Sequence, residues 1–138
     1  MKLDKNREKR KQSITVAEFY EAFHERFKLD MINGNVGFDN LIKDKNLHRP
    51  GLALAGYVDL FRYDRVQIIG NTEVNYLNTL APDQRHHAFM QLLEFHMPCI
   101  VLTDSNKLDQ EFLDAAAAKQ VPVFGSSFET TKIAYFIA

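Results

Sequence analysis

The sequence has no tryptophan and only one cysteine among its 138 residues. A single cysteine excludes a disulfide within the chain, and its apolar setting, Pro98-Cys99-Ile100-Val101-Leu102, predicts a buried structural thiol. No apolar run approaches the roughly 18 to 20 residues that span a bilayer, and the N-terminus lacks the apolar core of a signal peptide. We therefore expect a cytoplasmic protein with no membrane partner.

Charge is unevenly distributed along the chain. Residues 1–12 hold six of the 17 basic and two of the 18 acidic residues, which leaves 11 basic and 16 acidic residues for 13–138. A basic segment without aromatic side chains is more typical of a solvated leader than of a nucleic-acid site. We predict a disordered leader at residues 1–12, one domain at residues 13–138, and no nucleic-acid partner.

Short apolar runs alternate with helical patterns through most of the chain. The runs at residues 66–69, 99–102 and 121–124 predict buried strands, and the patterns at residues 73–80, 82–95 and 108–120 predict helices. Asn71 and Thr72 are suitable caps for the first of these helices, and Pro82 suits the first turn of the second. Strands joined by helices are parallel, so the fold class is α/β, with a mostly parallel sheet flanked by helices.

The two ends of the domain carry further signals. Thr15-Val16-Ala17-Glu18 is a capping box that opens a helix, and residues 28–33 and Leu41-Ile42-Lys43 predict short strands. Residues 129–138 have helical periodicity but no terminating glycine, proline or cap. The pattern is typical of a chain that has been cut within a helix.

Glycine spacing gives one false resemblance to a phosphate-binding loop. Gly51 and Gly56 have the spacing of the first and second glycines of a P-loop, but Tyr57 stands where the motif requires lysine. The sequence contains no complete P-loop and no G-x-G-x-x-G fingerprint. We predict no nucleotide site at these glycines.

Histidines near the middle of the chain raise the alternative of a metal site. Asp83 and His87 are four residues apart and share a helix face, whereas His86 points about 100 degrees away. His96 is the remaining candidate ligand. Since a zinc site needs three or four converging ligands, we interpret these residues as surface histidines and predict no metal.

The best candidate site follows from the position of small polar residues at the ends of strands. In open parallel sheets, ligands bind beyond the carboxyl ends of the strands. The residues at those ends are Gly70, Asn71 and Thr72, then Thr103, Asp104 and Ser105, then Gly125, Ser126 and Ser127. These strand tips are suited to a small anion or a nucleoside-like ligand, although helix capping favours the same residue types.

Several segments of the sequence resemble the N-terminal domain of the HPr kinase/phosphorylase family. They are Arg49-Pro50-Gly51, Leu54-Ala55-Gly56-Tyr57, Arg65-Val66-Gln67, Gly70, Thr72-Glu73, Tyr76, residues 98–102, Val121-Pro122-Val123 and Thr130-Thr131. The resemblance covers roughly Ile14 to the end of the chain. The chain departs from the family at Asn71, where a basic residue is usual, and at Asn75, where serine is usual.

The resemblance implies a non-catalytic domain of a larger enzyme. By resemblance, the whole protein phosphorylates a serine of the HPr phosphocarrier with ATP and Mg²⁺, and removes that phosphate, as a cytoplasmic homohexamer. It would thereby control the sugar phosphotransferase system and carbon metabolism. The catalytic P-loop domain is absent from this chain, so we expect no catalytic or cofactor-binding residues in it. The resemblance also implies a fold shared with the N-terminal domains of some cell-wall amino-acid ligases.

One alternative comes from a different class of protein. A stand-alone α/β domain without a kinase half would sense a small ligand at the strand tips. The role of the domain, regulatory, assembly or partner contact, stays open at this point.

Overall fold

The computed structural model describes residues 13–137, so the predicted leader at residues 1–12 lies outside the described residues. Its elements, in chain order, are β1 (Ile14–Thr15), α1 (Val16–Phe27), β2 (Asp30–Met31), β3 (Leu41–Ile42), β4 (Leu47–His48), α2 (Gly51–Leu54), β5 (Val66–Ile69), α3 (Asn71–Thr79), α4 (Pro82–Leu92), β6 (Ile100–Leu102), α5 (Gln110–Ala118), β7 (Val123–Gly125) and α6 (Thr130–Ile137).

Within the described residues, the main sheet has five strands in the order β2-β7-β6-β5-β4. β4, β5, β6 and β7 are parallel, with Ile68 opposite Val101 and Val101 opposite Phe124, while β2 pairs antiparallel with β7. β1 and β3 form a separate antiparallel pair. The predicted α/β class with a mostly parallel sheet is confirmed.

Helices cover both faces of this sheet and create two cores. Alternate strand residues such as Ile69 and Ile100 face the first core, which α2, α3, α4 and α5 complete. Their neighbours Ile68 and Val101 face the second core, beneath α1 and α6. Cys99 is fully buried in the second core, where burial raises the pKa of its thiol.

The capping box at the start of α1 is present as predicted. Thr15 Oγ1 accepts a hydrogen bond from the Glu18 N–H at 3.1 Å, and Glu18 Oε1 accepts one from the Thr15 N–H at 3.0 Å. Lys28 then adopts a left-handed conformation (φ 52°) that ends the helix. The strand predicted at residues 28–33 is therefore shorter than expected: only Asp30–Met31 is a strand, and it pairs with β7.

The start of α3 differs from the prediction. Gly70 is the N-cap, and Asn71 and Thr72 are helical residues rather than caps. The reason is that the Glu73 carboxylate reaches back to the Gly70 N–H at 2.8 Å and does the capping itself. β4 and α2 are additional elements that the sequence patterns did not predict.

Candidate functional site

The three predicted strand tips meet at the carboxyl edge of the sheet because β5, β6 and β7 are neighbours. Backbone hydrogen bonds join them: the Thr103 N–H donates to Ile69 O at 3.1 Å, and the Ser105 N–H donates to Ser126 O at 2.9 Å. Asn106 adds a side-chain link by donating from Nδ2 to Asn71 Oδ1 at 2.9 Å. The edge is thus one connected polar surface.

Gly70 lies at the most crowded point of this surface. A Cβ atom there would stand 2.6 Å from Thr130 Oγ1, 2.9 Å from Thr103 Oγ1 and 3.1 Å from Arg49 Nη2. The φ of Gly70 is −113°, which any residue adopts. Glycine is therefore required by lack of space and not by backbone conformation.

Glu73 and Arg49 form an ion pair beside Gly70. Glu73 Oε1 accepts hydrogen bonds from the Gly70 N–H at 2.8 Å and from Arg49 Nη2 at 2.9 Å. The Glu73 side chain is 2% exposed and that of Arg49 is 45% exposed. Burial of a lone carboxylate is costly, and the hydrogen bonds from the guanidinium and the amide offset that cost. Apart from its contact with Glu73, the Arg49 side chain faces solvent.

Two threonine hydroxyls connect α6 to the sheet. Thr103 is fully buried at the end of β6, and its Oγ1 lies 2.6 Å from Thr130 Oγ1 in the first residue of α6. Either hydroxyl serves as donor. This contact fixes the beginning of α6 against the strand tips.

The predicted site residues divide into buried and exposed groups. Gly70, Thr103 and Ser126 are buried, and Ser126 Oγ is committed to Phe27 O at 2.5 Å and to the Phe128 N–H at 3.1 Å. Exposed or partly exposed side chains that remain open to a ligand are Asn71, Thr72, Asp104, Ser105 and Ser127. Asp104 and Ser105 adopt left-handed conformations (φ 56° and 57°) that turn the chain away from β6.

Sequence reasoning missed Arg49, Glu73 and Thr130 as members of this site. None of them directly follows a strand of the predicted sheet, and the sequence argument considered only residues at the carboxyl ends of strands. All three nevertheless belong to the segments by which the chain resembles a known family. The structure brings these separated segments together around Gly70.

This arrangement suits binding rather than chemistry. A half-exposed guanidinium and small polar side chains at the edge can donate hydrogen bonds to an anion, whereas Asp104 adds a carboxylate that accepts them. The glycines of the incomplete P-loop do not contribute, because Gly51 starts α2 and Gly56 (φ 102°) ends the turn that follows it.

The alternative metal ligands do not converge. His86 Nδ1 lies 3.3 Å from Glu111 Oε2, on the surface between α4 and α5. Within residues 13–137, no three histidine, cysteine, aspartate or glutamate side chains are grouped to hold a metal ion. No helix in the same range is long and apolar enough to cross a membrane.

Comparison with known proteins identifies relatives over nearly the whole chain. The family model described as "HPr Serine kinase N terminus" matches residues 14–138. HPr kinase/phosphorylase of Chlorobaculum tepidum is 48% identical over 130 residues, and that of Prosthecochloris aestuarii is 46% identical over 130 residues. Each match covers 93% of this chain but only 38% of the relative's length.

A solved structure shares the fold at low sequence identity. It comprises the CBS and DRTGG domains of the regulatory region of Clostridium perfringens pyrophosphatase, complexed with the activator diadenosine tetraphosphate. The TM-score is 0.63 at 10% identity, and the match covers 88% of this chain and 46% of the other. At this identity the likeness concerns the fold alone.

Proposed function

The chain belongs to the HPr serine kinase N-terminal domain family, and we propose that it is the non-catalytic N-terminal domain of a bifunctional HPr serine kinase/phosphorylase. The observation that carries this proposal is the match to 38% of the length of relatives with that name. The absence of a P-loop from the sequence supports the assignment of the chemistry to another part of the protein.

The activity of the whole protein is part of this proposal. It uses ATP and Mg²⁺ to phosphorylate HPr in the cytoplasm, works as a homohexamer and regulates carbon metabolism through the sugar phosphotransferase system. This chain contributes regulation, assembly or contact with a partner. HPr is the first partner to test.

A kinase assay tests the division of labour. The 138-residue chain is incubated with HPr, ATP and Mg²⁺, and the full-length Chlorobaculum tepidum relative serves as the positive control. We expect phosphoserine on HPr only in the control. Phosphate transfer by this chain alone would contradict the proposal.

The same chain distinguishes the three possible contributions. Light scattering measures whether it self-associates, which would support an assembly role. Backbone NMR signals that shift when HPr is added would support partner contact. If it remains monomeric and does not respond to HPr, a regulatory role through a small ligand is favoured.

The second candidate function is a stand-alone ligand-sensing domain, and the half-exposed Arg49 beside the strand tips favours it. Its test is an NMR titration with sugar phosphates and UDP-sugars, read at the amides of residues 70–72, 103–105 and 126–127. Shifts confined to these amides would support sensing, and unchanged spectra would contradict it. Sequencing the gene beyond the codon for Ala138 separates the two functions, since a downstream P-loop favours the first.

A further inference from the structure

A groove of about 290 Å³ opens on the side of the sheet opposite the strand tips. Its walls include Asn40, Lys43, Tyr63, Asp64, His96 and Pro98. Tyr63 and Asp64 precede β5, and His96 and Pro98 precede β6, so the groove lies at the amino edge of the parallel sheet. Its size is near the lower end of the roughly 300 to 1,000 Å³ typical of small-molecule sites.

Hydrogen bonds hold the walls of this amino-edge groove in place. Asn40 Nδ2 donates to Pro98 O at 3.1 Å and to Gln120 O at 2.7 Å, which ties the loop before β3 to two loops of the main sheet. On the other wall, Arg62 donates to both carboxylate oxygens of Asp64, at 3.2 and 3.0 Å. The wall at Asn40 is therefore fixed before a ligand binds, and the Arg62–Asp64 pair limits the freedom of the other wall.

The charge that remains available in the groove is positive. Arg62 and Arg65 are balanced by Asp64 and Asp44. Lys43, by contrast, has no ion-pair partner within the described part of the chain, so its charge is the one left available in the groove. The groove is thus a basic spot on a domain whose residues 13–138 contain more acidic than basic side chains.

Tyr63 supplies an aromatic surface next to these basic groups. Its ring packs 5.3 Å from the ring of Phe95 and 6.1 Å from that of Phe61, which fixes its orientation. The residue is nevertheless 46% exposed. An exposed ring held in one orientation is a stacking platform for a planar ligand group.

We propose that the amino-edge groove binds a small anionic ligand with a planar ring, of the nucleoside monophosphate class. Lys43 and His96 contact the anionic group, and Tyr63 stacks on the ring. The site is separate from the strand tips and does not depend on the kinase assignment, so either proposal can fail without the other.

An NMR titration of the full 138-residue chain tests this site. The probes are adenosine, guanosine, cytidine and uridine 5′-monophosphates at millimolar concentration, with inorganic phosphate as a separate probe. We expect at least one nucleotide to shift the amide signals of Lys43, Tyr63, Asp64 and His96, and inorganic phosphate to bind much more weakly. Lack of response to all four nucleotides, or shifts only at the strand tips, would overturn the proposal.

Matched variants test the assigned contacts. Lys43→Met with His96→Gln should raise the dissociation constant on the order of tenfold or more, and Tyr63→Leu should also weaken binding. Lys132→Met, an exposed change on α6, should leave it unchanged. Because Lys43, His96 and Tyr63 are exposed, the ligand-free spectra should remain those of a folded domain. Unchanged affinity in both groove variants, or equal affinity for inorganic phosphate, would refute the proposed contacts.

Discussion

Arg49 and Glu73 form an ion pair in which Glu73 is buried and Arg49 is half exposed. The two side chains therefore have different roles. The buried Glu73 caps α3 through the Gly70 N–H, whereas the half-exposed Arg49 lies between β4 and α2. The pair therefore links the segment that follows β4 to the helix that follows β5. Its energetic role is to compensate the burial of one charge.

Removal of the Arg49 side chain should lower the free energy of unfolding by more than its exposure suggests. Arg49→Met leaves a buried carboxylate without its counterion, and we expect the free energy of unfolding to fall by about 2 kcal/mol, below the roughly 3 to 5 kcal/mol of fully buried pairs. Combining it with Glu73→Gln should recover part of the loss, because the amide oxygen still accepts from Gly70. Urea denaturation measures both. A double variant less stable than Arg49→Met would contradict this account.

Gly70 offers a test of the crowding at the strand tips. Gly70→Ala places a Cβ 2.6 Å from Thr130 Oγ1 and should cost about 2 kcal/mol of unfolding free energy. Gly51→Ala is the matched control, since its Cβ would meet nothing closer than Glu73 Oε2 at 3.6 Å. We expect the control to be neutral or slightly stabilising in the same denaturation experiment. Equal effects of the two substitutions would show that the crowding is relieved without cost.

Acid should weaken the charge cluster near the amino edge. A hydrogen bond from the Asn46 N–H and the nearby Arg65 and Arg62 charges lower the pKa of Asp44 from 3.8. A lowered carboxyl pKa gives stability that is present above the unfolded value and lost as the pH falls through the folded value. Asp44→Asn should therefore flatten the decline of stability below about pH 4.

Chemical denaturation between pH 7 and pH 2 measures this decline. Asp59→Asn, at an exposed position without an ion pair among residues 13–137, is the control and should keep the wild-type slope. If Asp44→Asn also keeps that slope, the cluster does not contribute to acid sensitivity.

At the scale of elements, the helices and strands that could be predicted from the sequence are those whose signals are local: capping residues and periodic apolar runs. The capping box of α1 and the apolar runs of β5 and β6 were found because their signals lie within a few consecutive residues. β4 was missed because Leu47–His48 is a strand only through its pairing with Val66 and Gln67. Likewise, α2 is a four-residue helix that is too short for a periodic pattern.

The candidate site was predictable only in part for a related reason. The strand tips follow directly from the ends of the strands, but the partners of Gly70 come from positions that no local rule connects. Arg49 precedes a short helix, and Thr130 begins a helix 60 residues after Gly70. Only the tertiary structure brings them within contact distance.

The start of α1 gives a prediction at this scale. Thr15→Ala removes the acceptor for the Glu18 N–H, and we expect a loss of about 1 kcal/mol of unfolding free energy. Thr72→Ala removes an exposed hydroxyl inside the first turn of α3, where Glu73 already caps the helix. It should have little effect by thermal or urea denaturation. A larger loss from Thr72→Ala would restore Thr72 as a cap.

At the scale of the whole molecule, one sheet belongs to both cores. Adjacent residues Ile68 and Ile69 point into opposite cores. Loss of the shared strands would therefore expose both cores at once. The domain should therefore unfold as one unit, as small single domains usually do.

Methyl NMR during a urea titration tests this cooperativity. Leu92 reports on the first core and Ile133 on the second. We expect their native signals to disappear with the same midpoint, because both depend on β5, β6 and β7. Distinct midpoints would indicate two separately stable halves.

The short outer strands of the main sheet have a consequence for behaviour at high concentration. Among residues 13–137, β2 and β4 are its two borders, and each is only two residues long. A border this short presents few unpaired backbone groups to another molecule, which limits edge-to-edge polymerisation. The domain is thereby protected against aggregation through its sheet, although its central strands are wholly apolar in β6 and nearly so in β5.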